Sequence, residues 1–334
     1  MYRTLVAMLL SFALTGMARA APALTGTFIQ LLQVHSRWTD SDWHELVETL
    51  NSIGVREIIV QWSVLDDTAF YSSKTIHPIA NAPLEKLLSE ADGAGLKVRL
   101  GLANQTEYWT KIESSPESVE SYLRDLRVQS IAVAGELSAV AKNHASFNGW
   151  YIPEEIDDVN WRAPERRRLI VAHLAALGKE LRKLSPASTI AISTFSQGKA
   201  SPEFMQGLWS EIIGKTPIDI LLFQDGFGTG KLEPDEAALY LQAARAAAEA
   251  NHSTMEAVVE LFRQVGGPPI SEGDFRATPS TIERIKEQMG LAAKYSNGGI
   301  AGFSVPEYMT AFAGADGIRL LSEYRSLIAA PTGQ

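Results

Sequence analysis

The chain has 334 residues, 46% hydrophobic and 21% charged, which excludes a disordered chain and supplies apolar material for one large core. Its formal charge of −9 argues against nucleic acid or an anionic membrane as partner. It has no cysteine, so disulfides and thiolate-bound zinc are excluded.

Met1-Tyr2-Arg3 is a short basic start, Leu5 to Leu14 is mostly apolar, and Ala18-Arg19-Ala20 is a small-x-small cleavage pattern. Residues 1–21 therefore read as a secretory signal peptide, because the apolar run is shorter than the roughly 20 residues a membrane span needs. Losing Arg3 and Arg19, and no acid, moves the charge from −9 to −11. The expected location is periplasmic or secreted. Residues 22–334 are expected to form a single domain with no further span.

Short apolar runs and longer amphipathic segments then alternate. Gly26 to Leu32 reads as the first strand. A helix from Ser41 to Asn51 follows, capped by Asp40 or Ser41 and stopped by Gly54. Glu57 to Ser63 is the second strand, Pro83 to Ala94 a helix ended by Gly95, and Lys97 to Leu102 the third strand. Glu117 to Lys142 is a long helix opened by Ser115-Pro116. Gly149 to Asp158 is the fourth strand, and it ends in four acids within five residues. Pro164 to Leu184 is helical, Thr189 to Phe195 the fifth strand, Pro202 to Ile213 helical, and Ile218 to Asp225 the sixth strand. Pro234 to Ala250 is an Ala-rich helix, Met255 to Phe262 the seventh strand, Pro279 to Tyr295 a helix, Gly299 to Val305 the eighth strand, and Asp316 to Ile328 the last helix.

Near-continuous apolar strands alternating with helices indicate a parallel sheet buried on both faces. Eight such units close into a (β/α)8 TIM barrel. An open doubly wound sheet would carry a Gly-rich turn after the first strand, and Leu31-Leu32-Gln33-Val34-His35 is not one.

A barrel of this kind does its chemistry where the strands end. The residues expected there are Gln30, Trp62, Asn104, Glu154, Glu155, Asp157, Trp161, Gln224, Glu260 and Tyr308. Acids and amides hydrogen-bond sugar hydroxyls, and indoles stack on sugar rings. Two acids on opposed strand ends suit glycoside hydrolysis, one protonating the leaving oxygen and the other attacking or activating water. Glu260, alone in an apolar strand, is the clearest candidate. On the fourth strand, neighbours face opposite sides. Tyr151, Pro153 and Glu155 share one face, and Trp150, Ile152 and Glu154 the other. The aliphatic Ile152 suits the layer under the helices, which favours Glu155 inward, with Glu154 as the other candidate. Asp157 is a substrate contact or, with Asp158, a turn cap.

Four stretches carry a family resemblance: Phe28-Ile29-Gln30, the Trp43 to Leu50 helix, Ile59-Val60-Gln61-Trp62, and Gly149-Trp150-Tyr151-Ile152-Pro153 with its acids. With an acid after strand four and a Glu ending strand seven, the chain resembles the glycosidase clan A that includes the family 5 cellulases. It resembles more closely a bacterial branch, domain of unknown function 4434. The resemblance spans nearly all of residues 22–334. It implies a retaining mechanism, with the strand-four Glu as acid/base and Glu260 as nucleophile. The clan usually places Asn directly before its acid/base Glu. Here Pro153 precedes Glu154 and Glu154 precedes Glu155, so the contact that Asn makes to the sugar 2-hydroxyl has to come from elsewhere.

The expectation is thus an exported hydrolase of a poly- or oligosaccharide, monomeric and without cofactor or metal. The six His are unpaired in sequence and only His35 lies near a strand end, which disfavours a metal hydrolase. Lys97 opens its strand at the wrong end for a Schiff base. The competing reading is a non-catalytic saccharide-binding barrel of an exopolysaccharide or cell-envelope apparatus, since fold does not fix function.

Overall fold

The computed structural model describes residues 21–268 and 270–330. The expected signal peptide lies, apart from Ala21, outside the described residues. Eight parallel strands close into a ring: β1 (Gly26–Ile29), β2 (Glu57–Val60), β3 (Lys97–Gly101), β4 (Phe147–Ile156), β5 (Thr189–Thr194), β6 (Ile220–Gln224), β7 (Thr254–Glu260) and β8 (Ile300–Phe303). β1 pairs with both β2 and β8, so the barrel has no edge. The principal helices are α1 (Asp40–Ser52), α2 (Pro83–Ala94), α3 (Pro116–Ala141), α4 (Pro164–Leu184), α5 (Pro202–Lys215), α6 (Pro234–Ala250), α7 (Ile282–Tyr295) and α8 (Gly314–Ala329).

Local chemistry sets the helix ends. α2 to α6 each begin with Pro, whose missing N–H is no loss in a first turn. The cap of α1 is Thr39, not Asp40 or Ser41: its hydroxyl accepts from Asp42 N, and Asp42 Oδ2 accepts from Thr39 N at 2.7 Å. Gly95 ends α2 at φ 70°, a left-handed conformation that favours glycine.

Side chains sort into layers. Between barrel and helices lie Trp43, Trp150, Ile152, Trp209 and many aliphatics, all buried. Inside the ring, Phe28, Ile59, Tyr151, Leu222 and Val258 form an apolar plug, topped by Phe303. Below the plug, the buried Arg99 donates to both carboxylate oxygens of Glu57, at 2.8 and 3.0 Å, and to Thr189 Oγ1.

Two features were not anticipated from the sequence. The chain beyond β7 does not return directly to α7. It forms an antiparallel hairpin, Phe262–Gly266 with Arg276–Pro279, above the barrel. A four-stranded sheet of two-residue strands also covers the β2 and β3 ends.

Gly101 ends β3 where a Cβ would stand 2.3 Å from the Val60 carbonyl oxygen and 2.5 Å from that of Gln61. Those atoms are backbone of the neighbouring strand and cannot step aside. Gly101→Ala is expected to lower stability by about 1–3 kcal/mol, read from urea unfolding, with barrel circular dichroism retained below the transition.

Candidate active site

The mouth of the barrel is made by the residues one step beyond the plug on each inward face. β4 puts Glu155 there. Tyr151 lies in the inner plug while Trp150 and Ile152 lie in the outer layer, so the alternation inferred from sequence holds. Pro153 does disturb the strand. Ile152 pairs with Ile192 and Ile156 with Thr194, so β4 spends four residues where β5 spends two. The excess is even, and the facing of Glu155 survives.

Glu155 is held by its neighbours. Its Oε1 accepts from Gln224 Nε2 at 2.5 Å, and its backbone carbonyl accepts from Trp161 Nε1 at 3.1 Å and Tyr108 Oη at 3.2 Å. Burial pushes its carboxyl up to about 7, against the Gln224 hydrogen bond and the charge of Lys231, which favour the anion; the charges of Asp157 and Glu260 add to the rise. Glu154, one residue back, points outward to His173 of α4 and takes no place in the mouth.

Glu260 ends β7, 4% exposed. Its Oε2 accepts from Thr229 N at 3.0 Å. Gly228 lets that loop approach, since a Cβ there would meet Cβ and Oε2 of Glu260 at 2.8 Å. Burial raises the Glu260 carboxyl, opposed by Lys231, the N–H groups of Thr229 and Gly228, and Arg284. Beside it, Asp225 is raised to about 8, by burial first and then by the charge of Glu260. Gln288 donates to Asp225 Oδ2 at 2.7 Å. The two carboxyls titrate as a pair, with burial and mutual repulsion raising Asp225, and with Lys231, Arg284 and the Thr229 and Gly228 N–H groups favouring the anion at Glu260.

The other expected contacts divide. Gln30 lies half-buried at the mouth, its amide donating to Gln61 Oε1 at 2.7 Å and its backbone N–H to Glu307. Gln224 bridges to Glu155. Tyr308 is half-buried, its ring 5.3 Å from Phe262. Asn104 is half-buried in a two-residue strand beside Leu65. Three expected substrate contacts are corrected. Trp161 is fully buried and serves the Glu155 carbonyl. Trp62 is 7% exposed in the outer core, its indole donating to Leu31 O at 2.7 Å. Asp157 is fully buried and caps a turn, accepting from Val159 N and Asn160 N at 2.6 and 2.7 Å. His35 is buried between Trp38 and Trp43, and burial lowers its pKa to about 4.

The residue the sequence reading missed is Lys231. Lys231 Nζ sits 3.9 Å from the centre of the Phe195 ring and acts electrostatically on both Glu155 and Glu260. The β6 loop that carries it reads Asp-Gly-Phe-Gly-Thr-Gly-Lys, a Gly-rich turn closed by a cation, which was the available signal. Trp109, 38% exposed and packed edge-on to Phe195, is the tryptophan left open to stack a ring. Among the described residues no group of three or more His, Asp or Glu could hold a metal, and no helix is long and apolar enough to cross a membrane.

A family model described as domain of unknown function DUF4434 matches residues 24–313. The chain belongs to DUF4434. An uncharacterized Escherichia coli K12 protein, YbcH, is 30% identical over 221 residues, 66% of this chain and 71% of YbcH. Among solved structures, a Bacteroides thetaiotaomicron protein provisionally named an alpha-L-fucosidase superposes with TM-score 0.76 at 19% identity, over 98% of this chain and 99% of that one. The endo-beta-1,4-mannanase of Thermotoga petrophila superposes at 0.59 and 11% identity, over 93% and 77%. Such low identities establish a shared fold, the closed (β/α)8 barrel.

Glu155 and Glu307, raised to about 7, and Asp225, raised to about 8, hold protons in the fold that the unfolded chain releases near 4 to 4.5. The unfolded state then binds fewer protons, so stability is fully present below that range and falls as pH rises toward the folded values. The melting temperature is expected to drop between about pH 5 and pH 8, and Glu155→Gln, neutral throughout, should make that drop shallower. An unchanged slope would mean Glu155 titrates normally.

Proposed function

We propose that the protein is an exported glycoside hydrolase acting on a poly- or oligosaccharide by retaining, two-carboxylate chemistry. The observation that carries the reading is the pairing of Glu155 and Glu260. Both face inward, on strands three positions apart in the ring, Glu155 against the neutral amide of Gln224 and Glu260 among the Thr229 and Gly228 N–H groups, Lys231 and Arg284. Glu155, with a pKa of about 7, keeps a proton to give to the leaving oxygen. Glu260, stabilised as an anion by Lys231, Arg284 and the Thr229 N–H, attacks the anomeric carbon. Asp225, raised to about 8 by burial and by the charge of Glu260, supports this by favouring the negative charge on Glu260.

In the second half of the cycle Glu155 takes a proton from water, which displaces Glu260 from the glycosyl ester. Gln30, Gln61 and Gln224 offer amides to sugar hydroxyls. Trp109 offers a stacking face. The sugar-active enzymes that share the fold, a mannanase and xylanases among them, lend the substrate class. The pattern of residues 1–21 lends the export.

Purified protein screened against bacterial and plant polysaccharides is expected to release reducing sugar with retained anomeric configuration, read by proton NMR. Glu260→Gln should abolish turnover on every substrate. Glu155→Gln should lose about 10²–10⁴-fold on unactivated sugars and less on aryl glycosides, whose leaving group needs no proton. Activity of the parent should decline above about pH 7, where Glu155 loses its proton. Turnover surviving in Glu260→Gln would remove Glu260 as the nucleophile, and a parent that cleaves nothing would remove the hydrolase reading.

A further inference from the structure

β4 is irregular where it matters most. Its neighbours pair with Phe147, Gly149, Trp150, Tyr151, Ile152 and Ile156, and no cross-strand partner stands opposite Pro153, Glu154 or Glu155. A strand normally takes its position from its ladder. The acid proposed for proton transfer thus sits on a segment that the barrel's backbone bonds do not fix, and Pro153 has no N–H to lend.

What replaces the ladder is a side-chain bond on the opposite face. Glu154 Oε1 lies 2.7 Å from His173 Nε2, with both side chains sealed from solvent, at 1% and 0% exposure. His173 Nδ1 lies 2.9 Å from the carbonyl of Leu123 on α3. A carbonyl only accepts, so Nδ1 carries a hydrogen. One further proton must lie between Nε2 and Oε1, whether it belongs to the imidazole or to the carboxyl. The pair is therefore net neutral in either form, and it links α3, α4 and β4 in a single chain of bonds. Tyr108 and Tyr122 of α3 both lie near enough to Glu154 to feel its charge, and neither is a cation that could take over from His173.

We propose that the buried Glu154–His173 pair is the positioning device that sets Glu155 in the barrel mouth, standing in for the absent strand ladder. Glu154 and His173 touch no reacting atom. They anchor the peptide from behind while Trp161 and Tyr108 grip the Glu155 carbonyl from the side. The two consecutive glutamates thus divide the work: one holds the backbone and the other reaches the mouth. The proposal rests on the reading of Glu155 as the acid, but the anchoring itself is measurable without turnover.

The test compares the parent with Glu154→Gln, His173→Leu and the double variant Glu154→Leu/His173→Leu. Amide hydrogen exchange over residues 150–162 is followed by mass spectrometry, and kcat and KM are measured on whatever saccharide the parent cleaves. Glu154→Gln keeps a donor for a neutral His173, and it should match the parent in exchange and lie within about threefold in kcat. His173→Leu should exchange about tenfold faster at residues 153–157 and lose about 10²-fold in kcat at unchanged KM, since an ångström of misplacement carries that penalty. Should the buried, unpartnered Glu154 unfold that variant, the all-apolar double variant removes both polar partners together and should fold with the same loosened segment. Parent-like exchange in a folded His173→Leu or double variant would overturn the proposal, as would a Glu154→Gln as inactive as Glu155→Gln. If the parent cleaves nothing, the exchange data still decide whether the pair anchors β4, and only the hydrolase reading falls.

Discussion

Closing eight parallel strands into a ring leaves alternate side chains no place but the interior, and everything at the mouth follows from how that interior is filled. Phe28, Ile59, Tyr151, Leu222 and Val258 fill its middle. The Arg99–Glu57 pair lies below them and the carboxylates lie above. The plug keeps water away from the underside of Glu155 and Glu260. A carboxyl group there is penalised when charged, which is why burial comes first among the causes raising Glu155, Asp225, Glu260 and Glu307.

Burial alone would leave several similar acids, and local partners make them different. Asp225 is buried beside the charge of Glu260, and together these outweigh the Gln288 amide and raise its carboxyl to about 8. Glu260 has an N–H donor from the Gly-rich β6 loop and two cations nearby, so it ionises first. Glu155 faces Gln224, a neutral donor, and keeps a pKa near neutrality. The loop from Asp225 to Lys231 does much of this, because Gly228 has no Cβ and its backbone can lie against Glu260.

The irregular part of β4 shows the same economy in backbone form. A two-residue excess between Ile152 and Ile156 lifts Glu155 out of the ladder without turning it over. Freedom from the ladder aims the acid into the mouth, and the outward Glu154 gives the segment an anchor on α4 and α3. The carbonyl of Glu155, no longer spent on a strand partner, becomes the acceptor for Trp161 and Tyr108.

The barrel, its eight units and the inward choice of Glu155 were legible in the sequence, because alternation and amphipathic period are local and each strand repeats them. So was Glu260, since an acid in the apolar run Val258-Val259-Glu260-Leu261-Phe262 has to be there for a reason. The hairpin after β7 left little trace, since Phe262-Arg263-Gln264-Val265 does not alternate in polarity and the structure buries Gln264 while exposing Val265, whereas His173 is a polar residue among the buried Ile170, Leu174 and Leu177 of α4. Which tryptophans face the mouth was not legible. Trp62, Trp109 and Trp161 all lie at or beyond strand ends, and only the path of each loop sends two into the core and leaves Trp109 open. Lys231 and the partner of Glu154 were likewise decided by tertiary structure, since both depend on contacts between segments far apart in the chain, and periodicity reports a residue's face but never what waits opposite it.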